Sequence, residues 1–372
     1  MQASTSLERK SSGPRKPRRT PAETTVTVVP RAGEAVPAVF RRLARELVAR
    51  EAVPAALMLY GAIAAHAEIS RAMREALGEA QWPVTWVEGA SCDGAALAGV
   101  QVFAVSGRPV TRVRLGGRVV ATVYEDEAAQ HCLVGGVGAV AVTLPPAAQT
   151  QQAFSHLETA LDMAGFALAD VVRTWFYNDN ILGWYGDFNR VRSAHYAGVK
   201  WRTGSLPAST GIGARNPAGG ALVVGARAMR LKNSTADAKE VGSPLQCPAP
   251  AYGSAFARAM ELTSDGRRQL MVSGTASIHP GGKTAWVGDA ARQVERTMQV
   301  IRAILQSRQM DFPDVTRATA YYRDAADKRH FTAWLGAHGL AKMPVVHTHS
   351  VVCRDDLLFE VELDAAAPGF TA

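Results

Sequence analysis

The sequence predicts an α+β protein built from tandem modules, each a mixed sheet with its helices packed on one face. Two observations carry that expectation. Apolar spacing switches repeatedly between the helical and the strand period, and one order of elements occurs twice, about 140 residues apart. With 372 residues, 47% of them hydrophobic, the chain is long enough for two or three modules with substantial cores.

Residues 1–31 hold seven basic residues (Arg9, Lys10, Arg15, Lys16, Arg18, Arg19, Arg31) against Glu8 and Glu23. Their Ser/Pro/Arg composition has no apolar period and reads as a disordered basic tail. An N-terminal domain is expected over 32–240 and a C-terminal domain over 241–372. Within the first, 36–51 has a helical pattern, 55–63 reads as a strand, 68–77 as a helix, and 100–105 with 110–123 as strands. That order is compatible with a degenerate copy of the repeated unit.

The repeat itself begins at 151–164, where Phe154, Leu157, Leu161 and Ala164 keep a helical spacing that Gly165 stops. Residues 170–177, Asp-Val-Val-Arg-Thr-Trp-Phe-Tyr, are β-branched and aromatic and predict a strand. In the second copy Val294, Met298, Ile301 and Leu305 mark the helix, and 314–322, Asp-Val-Thr-Arg-Ala-Thr-Ala-Tyr-Tyr, the strand. Arg173 aligns with Arg317 and Tyr177 with Tyr321. Each copy continues with a second helix (184–196; 328–338), a Pro entering a strand (Pro207; Pro344) and a closing strand (221–229; 357–363). The last two strands are expected to form an antiparallel hairpin, giving an α+β layer.

The net charge of +8 suggests a polyanion partner until it is placed along the chain. The tail carries +5 of it, and the other 341 residues have 34 basic against 31 acidic residues. The body is therefore not built for phosphate neutralisation, leaving an RNA- or membrane-surface role of the tail as the lesser alternative. No secretory signal or apolar run of 18 residues occurs, so a soluble cytoplasmic protein is expected. Cys92, Cys132, Cys247 and Cys353 are too scattered for a zinc knuckle or a disulfide framework. His347 and His349 alternate on a strand without an accompanying acid or Cys, and read as lining or packing rather than as metal ligands.

Residues 271–364 resemble the RidA (YjgF-type) enamine deaminases through Val272-Ser-Gly274, the long helix, the Asp-Val-x-Arg-x-Thr strand and Glu360-Val-Glu362. A fuller resemblance, over nearly all of 40–365, is to the chorismatases. It rests on 173–192 (Arg-Thr-Trp-Phe-Tyr through Ile-Leu-x-Trp-Tyr-x-x-Phe-Asn-x-Val-Arg) and on Pro207-Ala-Ser-Thr-Gly-Ile-Gly213. Arg215-Asn-Pro-Ala-Gly219, Ser273-Gly-Thr-Ala-Ser277 and Cys353 seven residues before Glu360 complete it. The resemblance implies chorismate as substrate and release of pyruvate from its enolpyruvyl ether, with no metal or cofactor. Two or three modules in one chain would build internally the clefts that single-module relatives build between subunits, so a monomer is expected, with an oligomer left open.

Chorismate is a small dianion with a vinyl ether, so its site needs fixed cations and an acid able to protonate an enol carbon. Arg173, Trp175 and Tyr177 share a strand face, and Arg173 and Tyr177 are candidates to grip a carboxylate, with plain packing as the alternative. Tyr185 and Arg192 lie about two helical turns apart and project to a similar side. Arg215 follows the Gly-rich 210–213, which without the family reads as a plain loop. By the resemblance Thr275 and Ala276 join the substrate contacts, and Arg323 is a further carboxylate ligand. Glu360, in an otherwise apolar strand, has the setting that keeps a carboxylic acid protonated near neutrality, although Glu362 shares its face. If 354–357 turns the chain so that Cys353 pairs with Leu358, then Glu360 lies diagonally across that face, roughly 7–8 Å away Cα to Cα. In the family a cysteine at the Cys353 position accompanies the aromatising members, which implies 3-hydroxybenzoate with possible 4-hydroxybenzoate as the product. Ala276, where some aromatising members have Gly, leaves hydrolysis to a dihydroxycyclohexadiene carboxylate open. A RidA-like imine deaminase and a non-enzymatic metabolite-binding module are the other readings.

Overall fold

The computed structural model describes residues 22–369. The first unit runs β1 (Ala22–Val28), α1 (Val36–Ala49), β2 (Ala52–Gly61), α2 (His66–Leu77), β3 (Val84–Glu88) and β4 (Leu97–Ser106), in a sheet ordered β1-β4-β2-β3. The second opens with β5 (Thr111–Leu115), β6 (Arg118–Glu125) and β7 (Ala129–Gly138). It continues through α3 (Pro146–Met163), β8 (Val171–Asn178), α4 (Ile181–Tyr196), β9 (Ala208–Gly213) and β10 (Leu222–Leu231), and its sheet is ordered β5-β6-β7-β10-β8-β9. The third repeats that plan with β11 (Asp237–Val241), β12 (Ala259–Ser264), β13 (Arg267–Ala276), α5 (Ala290–Gln306), β14 (Val315–Tyr322), α6 (Lys328–Ala337), β15 (Val345–His349) and β16 (Phe359–Pro368). The first unit is the same topology without the leading hairpin.

Local chemistry explains the elements. Asp289 caps α5, its carboxylate accepting from the Arg292 N–H at 3.0 Å, and Val294, Met298, Ile301 and Leu305 are buried against the sheet. All eight residues of β8 are buried, because helices cover one face and the other sheets cover the opposite one. Those opposite faces meet along a pseudo-threefold axis. There the corresponding tyrosines of β2, β8 and β14, Tyr60, Tyr177 and Tyr321, are wholly buried, with the Tyr60 and Tyr177 hydroxyls 3.3 Å apart.

Four expectations need correction. Residues 22–28, assigned to the tail, form β1 against β4, because Val26 and Val28 alternate with Thr and bury on the first sheet; the rest of that tail, 1–21, lies outside the described residues. Residues 110–123 do not form one strand: Gly116 and Gly117, both at positive φ, fold them into the β5–β6 hairpin. The closing strands are not hairpin partners. β9 lies parallel to β8 at the edge while β10 inserts antiparallel between β7 and β8, and β15 and β16 do the same in the third sheet. Finally, the third sheet starts at Asp237 rather than 241, because β11 pairs with β12.

Candidate active site

The second and third units enclose a cavity of about 230 Å³ at one end of the axis. Glu360 is its only lining carboxyl among the described residues, projecting from β16 beside Gly274 and Ala276 of β13. Tyr185, Asn189 and Arg192 reach in from α4, Ser209 and Gly211 from β9, and Cys353 and Arg354 from the loop before β16. Tyr252, Phe256 and Arg258, between β11 and β12, complete the wall. Ser273 and Gly274 interrupt the β13–β16 ladder as a bulge. This turns Gly274 toward Glu360 while its N–H donates to Thr210 Oγ1 at 3.1 Å.

Three guanidiniums face this space, and among the described residues none is ion-paired. Arg192, 2% exposed, donates only to Asn189 Oδ1 at 2.7 Å and leaves Nε without a partner. Arg258 donates twice to the Cys247 carbonyl, at 3.0 and 2.8 Å, and Arg354 donates to the Gly282 carbonyl at 2.7 Å. The guanidiniums of Arg258 and Arg354 both lie over the Tyr252 ring, 5.3 and 5.2 Å from its centroid.

Burial, and then the like charge of Glu362, push Glu360 up to about 8 against the opposing pull of Arg173, Arg258 and Arg354. Glu362, two residues along, has the opposite fate. Burial raises it, but Arg317 and Arg173 outweigh that and hold it below the usual carboxylate range. Its oxygens accept from Arg173 (2.5 Å), Thr210 (2.6 Å), Trp175 (2.8 Å) and Arg317 (3.0 Å). One strand thus carries a fixed anion and, beside it, a carboxylic acid with its proton. The Cys353 thiol, pushed up to about 12 by burial and the charge of Glu360 against the opposing pull of the Tyr185 hydroxyl, stays protonated. Strand register explains why the acid occurs once. Tyr321 pairs with Glu360, whereas Tyr177 pairs with Val223 and Tyr60 with Gly99, so the corresponding positions of the other units carry no ionisable group.

Comparison with known proteins bears on this arrangement. Residues 249–367 match the family described as Endoribonuclease L-PSP. No curated protein matches. Among solved structures, a chorismatase superposes with a TM-score of 0.61 at 20% identity, covering 92% of this chain and 98% of that one. The chain has the fold of a chorismatase. Single-module structures also align: a putative endoribonuclease L-PSP from Entamoeba histolytica (21% identity, 35% of this chain, 100% of that one, TM-score 0.31) and the YjgF product of E. coli (18%, 34%, 97%, 0.27).

Within this chorismatase fold, the cavity gathers Glu360, Cys353, Tyr185, Arg192 and Ala276 from the residues singled out in the sequence. It does not gather the others. The carboxylate that Arg173 grips is the protein's own Glu362, and Tyr177 belongs to the axial tyrosine cluster. Thr275 is buried, its hydroxyl donating to the Ser273 carbonyl at 2.8 Å. Arg215 is exposed and bonds Glu88, 2.6 Å from Nη2 to Oε1. Arg323 donates to the backbone carbonyls of Arg354 and Asp355 and so holds the loop that carries Cys353. The Gly-rich 210–213 is strand β9 rather than a loop. Cys353 lies in a bend outside any ladder, so the expected pairing with Leu358 does not form, and Cys353 and Glu360 line the same cavity instead. His347 packs with its Nδ1 2.7 Å from the Tyr322 hydroxyl, and no cluster able to hold a metal occurs among the described residues.

Sequence reasoning missed Arg258, Arg354, Tyr252 and Asn189. The signal for Asn189 was present, one turn before Arg192 on the same helix. Tyr252 and Arg258 lie in an aperiodic segment that only the packing of two sheets brings to the cavity.

Proposed function

We propose that the protein is a chorismatase that releases pyruvate from chorismate. The observation that carries this is a cavity with three unpaired guanidiniums around one carboxylic acid that keeps its proton near neutrality. Such a site takes a small dianion and delivers a proton to it. Arg192, Arg258 and Arg354 hold the two carboxylates, and Tyr252 and Phe256 supply flat apolar wall beside the ring.

Glu360 protonates the enolpyruvyl methylene, making it a methyl group and its neighbour an oxocarbenium carbon. The oxocarbenium makes pyruvate a leaving group, and the two courses differ in which bond to the ether oxygen breaks. In the aromatising course the ring's own hydroxyl displaces the side chain and returns its proton to the Glu360 carboxylate, and rearrangement yields a hydroxybenzoate isomeric with chorismate less pyruvate. In the hydrolytic course water adds to the oxocarbenium carbon and returns a proton to the Glu360 carboxylate, and the hemiketal so formed breaks its bond from that carbon to the ring oxygen, releasing pyruvate and a dihydroxycyclohexadiene carboxylate. The neutral Cys353 thiol beside Glu360 supports the first course, with 3-hydroxybenzoate as the main product.

The test is incubation with chorismate, pyruvate being read through lactate dehydrogenase and the ring products by chromatography. Absence of pyruvate sinks the proposal, and ammonia released from small enamines would point to an imine deaminase instead.

A further inference from the structure

A second cavity, of about 220 Å³, lies at the opposite end of the axis, where all three sheets meet. Strand β13 runs from Arg267 at this cavity to Ala276 at the other, nine steps and so roughly 30 Å. The two spaces are nearly equal in volume, and the reaction proposed above makes no use of this one.

Its carboxylates are all engaged. Glu23 accepts from Arg227 at 2.7 and 2.8 Å and from the Tyr124 hydroxyl at 2.5 Å. Asp126 accepts from Ser264 at 2.6 Å and from the N–H groups of Ala128 and Ala129, and Asp265 is paired with Arg108. Three other polar groups are not. Arg267 makes a single bond, to the Glu23 carbonyl at 2.6 Å, and no ion pair among the described residues. The Gln269 amide lines the space without a hydrogen bond among those residues. His131 is 4% exposed and stacks on Tyr124, with Nε2 2.9 Å from Asp126 Oδ2, and its Nδ1 has no partner.

These groups define a ligand. Arg267 offers a guanidinium fork, which suits a carboxylate. His131 Nδ1 has no partner, and a hydroxyl, which can donate or accept, satisfies it whichever way the ring proton lies. Val105 and Leu262 supply apolar wall. We propose that this cavity binds a small hydroxylated carboxylic acid, its carboxylate on Arg267 and Gln269 and its hydroxyl hydrogen-bonded to His131 Nδ1.

The test is calorimetric titration of the full chain carrying Gly211→Phe. A side chain at Gly211 meets open space in the Glu360 cavity and blocks it. The probes are 3-hydroxybenzoate, benzoate and phenol. The expected result is one site for 3-hydroxybenzoate, with benzoate and phenol each weaker by about tenfold, the loss of one good hydrogen bond or charge contact. Arg267→Met, which keeps the apolar stem, and Gln269→Leu should each weaken 3-hydroxybenzoate by about tenfold with the circular dichroism spectrum unchanged. No binding to the Gly211→Phe chain overturns the proposal. So does benzoate binding as tightly as 3-hydroxybenzoate, or an affinity that both lining variants leave unaltered. Because these are binding measurements on a chain with the Glu360 cavity blocked, their outcome is independent of whether chorismate is turned over.

Discussion

Gly274 lies directly against the carboxyl of Glu360: a Cβ at Gly274 would stand 2.0 Å from Glu360 Oε1. The acid therefore reaches its position only because residue 274 has no side chain. Gly274→Ala should displace the carboxyl by about an ångström and lower pyruvate release about a hundredfold, with the fold retained by circular dichroism. Full turnover in this variant would remove Glu360 from the reaction.

Glu360→Gln keeps the shape and removes the proton, so pyruvate release should fall by about a hundredfold to ten-thousandfold. In the parent protein, activity should decline as pH rises through about 8, where Glu360 ionises. Stability follows the same sign. A carboxyl raised on folding binds a proton that the unfolded chain has lost, so its effect is least harmful below the unfolded pKa and destabilisation grows as pH rises toward 8. Glu360→Gln should therefore melt higher than the parent at pH 9 and show no such gain at pH 4.

Arg192 and Arg215 separate a site arginine from a surface one. Removing the buried, unpaired guanidinium in Arg192→Met should reduce kcat/KM about ten- to a hundredfold, the equivalent of a charge-assisted contact to a carboxylate. Arg215→Ala breaks only an exposed pair with Glu88 and should leave kcat/KM unchanged. A reversed ranking would relocate the substrate.

Glu362 anchors Arg173 of the second unit and Arg317 of the third, with every side chain fully buried. Glu362→Gln leaves the buried Arg173 without a carboxylate and Arg317 with Asp364 alone, and should cost about 3–5 kcal/mol, read as a lowered urea midpoint. A loss below 1 kcal/mol would mean that the cluster is solvated in solution.

Cys353→Ala tests the product. Loss of the half-buried thiol that lines the cavity with Glu360 opens room for water, and chromatography should show the dihydroxycyclohexadiene carboxylate rising at the expense of hydroxybenzoate. If hydroxybenzoate remains the sole product, Cys353 does not direct the outcome.

The helices, the strands and the duplication were legible in the linear order, because Phe154, Leu157 and Leu161, or Arg173, Trp175 and Tyr177, take their faces from periods of 3.6 and 2 that are local properties of the backbone. The third copy was only faintly visible, since the first unit lacks the leading hairpin and its strand sequences share little beyond Tyr60. Two things depended on distance in space. Arg173 and Arg192 look alike in sequence, yet the first meets Glu362 across a sheet interface while the second finds no carboxylate, and only that difference leaves one of them available to a substrate. Glu360 and Glu362 likewise share a strand face, and the sequence alone could not choose between them by chemistry. The tertiary structure separates them by placing two guanidiniums and the donors of Thr210, Trp175 and Tyr321 on Glu362 and a side-chain-free residue against Glu360, so that one is ionised and the other keeps its proton.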